Sequence, residues 1–438
     1  MNNPHDYNKV FSAYAPGRLD VMGGIADYSG SLLLQMPISE KTNVEMQKRD
    51  DGIFHIQSYL PDGEKKEVLV NFSDLEGKPP EEVGVVLRSK KGNGWSAYVI
   101  GCFAMLDWPV TGADVVIHST VPLGKGVSSS ASLEVATMRA ICKMCNIKMT
   151  GAELPILAQK VENIVVGAAC GLMDQLAVYL GRENKLLPIQ CQPANVYDPI
   201  NIPAGIEFCG IDSGVRHAVG GSSYGDVRTA AFMGYSIISS IEGIDDCELQ
   251  KAKIDENFQQ LPYSGYLSNI PVEVFEKKYV AELPETMKGK DFLAWFKVSI
   301  DNYTVIDPAK DYKVRACTAH PVYEMDRVER FQEFLQLLND YPFNENILHE
   351  MGKLMFASHE SYTAVGLGSA ETDLILNAVI KEGAERGLYG ARISGGGSGG
   401  TVVILCKSGM GVEKAKRIHQ RLEQHSGMKL YFFENKLI

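Results

Sequence analysis

The chain has no long apolar run, no surplus of positive charge and no cysteine pattern of the kind that frames small secreted domains. Its longest aliphatic stretches, such as Thr401 to Cys406, fall far below the roughly 20 residues that span a bilayer. The start, Met1-Asn2-Asn3-Pro4-His5-Asp6, is polar and lacks the apolar core of a secretion signal. No membrane association is expected, and the expected location is cytoplasmic. A formal charge of −11, with no offsetting Lys/Arg stripe, would repel a polyphosphate backbone, so nucleic acid is not an expected partner. The nine cysteines are scattered and odd in number, which favours reduced thiols. Cys142 and Cys145 form a lone C-x-x-C with no second pair or His cluster to complete a zinc site, and the helical composition around them predicts buried helix positions. Internal repeats and low-complexity tracts are also missing.

What is present is ample core-forming material. A chain of 438 residues, 45% hydrophobic and 22% charged, exceeds the usual size of one hydrophobic core and predicts two domains. Val10 to Ala15 and Leu32 to Ile38 read as strands. Thr42 to Gln47, Phe54 to Tyr59 and Glu67 to Phe72 alternate in the β manner. Helical spacing follows in Trp95 to Leu106, Leu133 to Cys145 and Glu153 to Val166, with strand Ala113 to His118 among them. Ile206 to Asp212 opens a second region as a strand, and Thr229 to Ile241 is helical. Lys251 to Asp311 is mixed and Pro-punctuated. After His320-Pro321 the pattern turns helical, through Arg327 to Leu338, Ile347 to His359 and Thr372 to Arg386. Ala391 to Ser394 and Thr401 to Leu405 are strand-like flanks of a glycine run. The class is α+β.

Three glycine-rich segments carry the chemistry. The first, Gly17 to Gly30, presents Arg18, Asp20 and Asp27 from a backbone kept slim by glycines; by itself it is equally a Gly/Asp turn cluster. The second, Val121-Pro122-Leu123-Gly124-Lys125-Gly126-Val127-Ser128-Ser129-Ser130-Ala131-Ser132, leads into a helix. Free backbone N–H groups and hydroxyls gathered at the positive end of a helix dipole suit phosphate. It is not a Walker loop, because no G-K-[ST] follows at the required spacing. The third, Arg392 to Thr401, holds five glycines within six positions. No Rossmann βαβ unit with a distal acid surrounds it, which excludes a dinucleotide fold.

In this order and separation, the three segments resemble the signature motifs of the GHMP kinases, the family of galactokinase, homoserine, mevalonate and phosphomevalonate kinases. Trp95-Ser96-Ala97-Tyr98-Val99, Gly171-Leu172-Met173-Asp174-Gln175, Val215-Arg216-His217 with Ser223-Tyr224 and Val227-Arg228, and His359-Glu360-Ser361 resemble galactokinase in the same order. The resemblance implies a ribosomal protein S5 domain 2-like N-terminal domain over 1–205 and a ferredoxin-like C-terminal domain over 206–438 with an insertion at about 242–314. It places the active site in the cleft between them, and implies ATP and Mg²⁺ as cofactors, a small sugar as partner, and a monomer or homodimer. Asp174 takes the place of the carboxylate that accepts or orients the proton of the anomeric hydroxyl, with Arg18 beside it sharing the developing charge. Ser130 and Glu162 match the magnesium ligands; Glu162 is otherwise a solvated helix carboxylate. Trp95 resembles the aromatic against adenine, with core packing as its other reading. Pro122, Gly124, Gly126, Ser128, Ser129, Ser130 and Ala131, together with Gly396 and Gly397, fall in the ATP-binding loops. Asp27 matches the carboxylate that holds ring hydroxyls, Tyr224 the aromatic on the sugar face, and Gly171 a backbone contact. Arg216 and His217 are read as structural.

One departure bears on the substrate. Where galactokinases carry a Glu-His pair toward the C6 hydroxymethyl, this chain has Gly24-Ile25, and both polar side chains are gone. Such a pocket favours a sugar without that hydroxyl, because a buried polar group lacking a partner is costly. L-arabinopyranose is galactopyranose without C6. The Gly23-to-Gly30 run, Gly265-Tyr266-Leu267-Ser268-Asn269-Ile270 and Ile306-Asp307-Pro308 also resemble the kinase domain of plant L-arabinokinases. The expected reaction is ATP-dependent 1-phosphorylation of L-arabinose; D-galactose or a uronic acid is the alternative, and a non-enzymatic sugar-binding regulator is the other class.

Overall fold

The computed structural model describes residues 9–60, 63–168, 170–192, 194–215, 222–341 and 343–434. Its contacts divide the chain into two compact units. Among the described residues, one comprises the stretch ending at Arg18 together with Pro37–Glu183, and the other comprises Leu19–Met36 and residues 184–434. These units differ from the motif-based segments 1–205 and 206–438, because Leu19–Met36 joins the later part and the break precedes residue 184.

In the first unit the strands are β1 (Phe11–Met22, to Arg18 here), β2 (Leu32–Lys48, from Pro37 here), β3 (Ile53–Tyr59), β4 (Lys65–Asn71) and β5 (Ala113–Ser119). The sheet order is β4-β3-β5-β2; β3 and β5 run parallel and the other neighbours antiparallel. Burial alternates along β3, with Phe54, Ile56 and Ser58 inside, as the period of two requires. Five helices follow: α1 (Pro80–Ser89), α2 (Ala97–Met105), α3 (Ser129–Cys145), α4 (Glu153–Lys160) and α5 (Met173–Leu180). Their apolar residues join the strands in one core that includes Phe54, Phe103, Ile141 and Val161; each such side chain contributes about 1.5–3 kcal/mol by burial. Cys142 and Cys145 lie half-buried on α3, and burial pushes the Cys142 thiol up to about 11.

Two expectations are corrected here. Gly17 to Met22 is strand rather than turn, because β1 continues through it. The helix over 153–166 is α-helical only to Lys160; Val161–Val166 continues it as a π turn that carries Glu162.

The second unit contains β6 (Lys185–Gln190), β7 (Asn195–Val196), β8 (Ile200–Asn201), β9 (Ile206–Asp212), α6 (Ser222–Ile241), α7 (Asp246–Ile254), α8 (Val272–Lys278), β10 (Met287–Lys288), α9 (Gly289–Trp295) and β11 (Asp311–Tyr312). Then come α10 (Val314–Asp340), α11 (Glu345–Val365), α12 (Ala370–Glu382), β12 (Leu388–Ser394), β13 (Thr401–Lys407), α13 (Met410–Ser426) and β14 (Phe432–Phe433). An antiparallel sheet runs β12-β13-β9-β14, with α11, α12 and α13 packed on it. A separate core gathers Ile25, Tyr28, Tyr235, Phe275, Tyr362 and Leu367 around α6 and α10. The 242–314 segment holds short helices and one antiparallel pair of two-residue strands, β10 with β11. Helix α10 starts before Pro321 and runs through it; the packing of α10 against α6 and α11 outweighs the hydrogen bond that an interior proline forfeits. Among the described residues no helix is long and apolar enough to cross a membrane.

Candidate active site

In the first unit, β1 lies directly on the second glycine loop. A Cβ on Gly17 would stand 2.7 Å from the Val127 carbonyl oxygen, and the next residue's N–H donates to that same oxygen at 3.1 Å. Glycine is what permits the approach. Arg18, only 2% exposed, is thereby aimed inward. Its Nε and Nη2 meet Asp174 Oδ1 at 2.9 and 2.7 Å, and its Nη1 donates to the Gly126 carbonyl at 2.6 Å. One guanidinium therefore joins the loop to the carboxylate. Asp174 sits in the first turn of α5, where the helix dipole favours negative charge, and its side chain keeps 29% exposure, enough for a substrate to reach it.

The loop ends at an uncapped helix start. Ser128, the residue before α3, has φ 61° and makes no side-chain cap bond; its hydroxyl is buried with no partner among the described residues. The first N–H groups of α3 therefore have no side-chain acceptor from the residue that normally supplies one. Pro122 and Ala131 are buried, whereas Gly124, Gly126, Ser129 and Ser130 keep partial exposure. Such a helix start suits an anion.

Behind it lies a buried acidic pair. Gln175 Nε2 donates to Glu162 Oε2 at 3.0 Å and to Glu134 Oε2 at 3.2 Å. Burial, then the charge of Asp174, pushes Glu162 up to about 7, while Ser130, Cys170 and Gln175 pull the other way. Burial and the neighbouring Glu162 hold Glu134 well above the usual carboxylate range. Glu134 Oε1 and Gln175 Oε1 have no hydrogen-bond partner among the described residues. Acceptor-rich, donor-poor and buried, this cluster fits a hard divalent cation beside Ser130 and Glu162. The reading of Glu162 as a solvated carboxylate is thus overturned, since only 4% of the residue is exposed. Trp95 packs half-buried against the core, consistent with its packing alternative, and Gly171 lies just before α5.

The second unit holds the later part of the first glycine segment as a 3₁₀ turn, Gly24–Ser29. Tyr224 Oη donates to Asp27 Oδ1 at 3.1 Å, and burial, then the Asp27 charge, raises the phenol. Tyr224 also meets Tyr28 edge-on, with ring centroids 6.1 Å apart. Arg228 stacks over Tyr28 and is gripped by Asp301 at 3.0 and 2.7 Å. The 242–314 segment braces the turn in a second way: Ser268 Oγ donates to the Ser29 carbonyl, and Tyr266 packs where a Cβ on Gly30 would stand. Ile25 is not a pocket wall. It is 2% exposed and belongs to the core with Tyr28, Leu267 and Tyr362. The third glycine run is the β12–β13 connection; the N–H of Ser398 donates to Leu367 O at 2.7 Å, and a Cβ on Gly397 would stand 2.7 Å from Leu367 Cβ, so close packing accounts for that glycine. Gly396 belongs to the same connection. Arg216 and His217 lie outside the described residues.

Sequence reasoning missed Glu134, Arg392 and Tyr362. A charged residue on the apolar face of α3, among Val135, Met138 and Ile141, was the available signal for Glu134.

A basic group clasping a reachable carboxylate, next to an uncapped helix start and a buried acid pair, is a constellation suited to handling a polyphosphate and a proton. Residues 97–182 match the GHMP kinases N terminal domain and residues 343–423 match the GHMP kinases C terminal domain. The L-arabinokinase of Arabidopsis thaliana is 37% identical over 97% of this chain, which spans 45% of that protein, so the chain covers just under half of that relative's length. The galactokinase of Chloroflexus aggregans is 29% identical, with 90% of this chain and 84% of that protein covered. In fold, Lactococcus lactis galactokinase, solved with galactose, superposes with a TM-score of 0.71 at 22% identity, covering 98% of this chain and 93% of that one. The chain belongs to the GHMP kinases and is galactokinase-like within them.

Proposed function

We propose that this chain is an ATP-dependent sugar 1-kinase that converts L-arabinose and ATP to L-arabinose 1-phosphate and ADP. The observation that carries the reaction class is the buried Arg18 clasping Asp174 and the Gly126 carbonyl together. Asp174 accepts the proton of the anomeric hydroxyl as its oxygen bonds to the γ-phosphorus. The bond from that phosphorus to the β,γ-bridging oxygen breaks, and ADP leaves. Arg18 is placed to share the charge that develops on the transferred group. The uncapped start of α3, with Ser128, Ser129 and Ser130, holds phosphate oxygens. Ser130 and Glu162 would hold Mg²⁺, which when bound neutralises the triphosphate. Asp27 and Tyr224 hold sugar hydroxyls.

Two observations favour L-arabinose over D-galactose. Similarity to the plant L-arabinokinase extends over nearly the whole chain at higher identity than to the galactokinase reported above. No side chain projects from Gly24 to meet a C6 hydroxyl. The test is ATP consumption across a panel of L-arabinose, D-galactose and uronic acids with the purified protein. The highest kcat/KM is expected for L-arabinose, with lower but measurable turnover of D-galactose. A higher value for galactose or a uronic acid refutes the substrate; no consumption with any sugar refutes the kinase and leaves a sugar-binding regulator.

A further inference from the structure

No side chain fits at Gly24. The residue has φ +30°, and a Cβ there would lie 1.6 Å from Tyr362 Oη and 2.6 Å from Arg392 Nη2. The space is already taken by Tyr362 of α11, which is wholly buried. Its hydroxyl accepts from the N–H of Ile25 at 3.0 Å and donates to the Gly395 carbonyl at 2.9 Å. Its ring stands 5.1 Å from the Arg392 guanidinium.

Arg392 is itself fixed. Nε donates to Ser358 Oγ at 3.0 Å, and Nη1 donates to the Asp20 carbonyl and carboxylate at 3.1 and 3.2 Å. Asp20 accepts in addition from Gln35 at 2.7 Å and from the Gly24 N–H at 3.3 Å, and Glu324 accepts from Ser358 at 2.6 Å and from the Gly23 N–H at 3.2 Å. The consecutive amides of Gly23, Gly24 and Ile25 therefore each end on a side chain of one buried cluster: Glu324, Asp20 and Tyr362. A buried polar cluster with this many ties favours one geometry, because a shift breaks several of them at once; Arg392 Nη2 lacks a hydrogen-bond partner among the described residues and stands 4.0 Å from Glu324 Oε1.

We infer that Tyr362 is a specificity-setting positioning residue. By filling the space in front of Gly24 it removes the side-chain position from which the Gly24–Ser29 turn could reach an exocyclic group on the sugar, and it thereby sets the preference for a pentopyranose over a hexopyranose. The inference rests on the sugar-kinase reading above. A purely structural tyrosine would affect stability without moving the ratio between two sugars.

The experiment compares wild type with Tyr362→Phe, Tyr362→Leu and Gly24→Ala on L-arabinose and D-galactose, with the KM for ATP and thermal unfolding measured for each. Tyr362→Phe keeps the ring and loses both hydrogen bonds, so the sugar KM rises roughly fivefold while the sugar ratio holds within about threefold. Tyr362→Leu opens the space, and the kcat/KM ratio of arabinose to galactose falls roughly tenfold or more, with the KM for ATP within about twofold of wild type. Gly24→Ala presses on Tyr362 from the opposite side and moves the ratio as well, and its effect shrinks when combined with Tyr362→Leu. An unchanged ratio in a folded Tyr362→Leu protein, or in Gly24→Ala should the leucine variant not fold, overturns the inference and leaves the proposed function standing. A wild type that prefers galactose, or that phosphorylates neither sugar, overturns both.

Discussion

Replacing Glu162 with glutamine should stabilise the first unit in alkaline buffer while it suppresses turnover. The carboxyl sits in the π turn with 4% exposure, and burial, then the charge of Asp174, carries it from its ordinary 4.5 to about 7. The folded pKa exceeds the unfolded one, so between those values the folded chain binds more protons and loses stability as pH rises; above about 7 the cost is fully present. At about 1.4 kcal/mol per pKa unit, this amounts to roughly 3 kcal/mol for a fully buried group. Glutamine cannot ionise. Glu162→Gln should therefore match wild type near pH 5 and exceed it by up to roughly 3 kcal/mol near pH 8. Urea unfolding without nucleotide, followed by the fluorescence of Trp95 and Trp108 in that unit, measures the difference. If the ionised Glu162 is the group that a cation neutralises, MgADP should raise the wild-type unfolding midpoint more near pH 8 than near pH 6, and the variant should lose that dependence. A variant less stable than wild type near pH 8, by a margin that does not change with pH, would refute the reasoning.

Asp174→Asn should lower kcat by roughly 10²–10⁴-fold with ATP affinity largely retained, measured by steady-state kinetics and nucleotide titration; near-normal turnover would remove Asp174 from the proton step. Arg18→Lys cannot keep both contacts to Asp174 and the bond to Gly126 from one ammonium, so kcat should fall with little change in the sugar KM. Asp301→Asn strips the charge that holds the buried Arg228, and it should destabilise the second unit by roughly 3–5 kcal/mol in unfolding experiments. It should also raise the sugar KM, because Arg228 supports Tyr28 in the turn that carries Asp27.

Much of the strand and helix pattern was legible because it rests on local periodicity. Ile206–Asp212 is a strand over the expected residues, and Phe54 to Tyr59 gains only Ile53. Helices α1 and α13 were not anticipated. Their buried stripes are narrow, Val83, Gly84 and Leu87 in one and Val412, Ala415 and Ile418 in the other, and the remaining positions are largely polar. The motifs singled out residues within single segments, and the structure brings Arg18, Asp174 and the end of the glycine loop together in one unit and sets Asp27 against Tyr224 in the other.

What stayed hidden depends on residues that only the fold brings together. Gly24 reads in the sequence as a lost side chain, and the natural consequence is an emptier pocket. The structure reverses that consequence, since Tyr362 fills the position and Ile25 turns inward to the core. Nothing local distinguishes Tyr362 from any other aromatic on a buried helix face, and nothing local marks Arg392 as a charge that will be enclosed completely. Their meaning comes from Asp20 and Glu324, which sit on other elements and satisfy the amides of Gly24 and Gly23. Selectivity at this turn is therefore a property of the buried cluster as a whole, and restoring a polar side chain at position 24 without also removing Tyr362 should damage the enzyme rather than convert it to a galactose kinase.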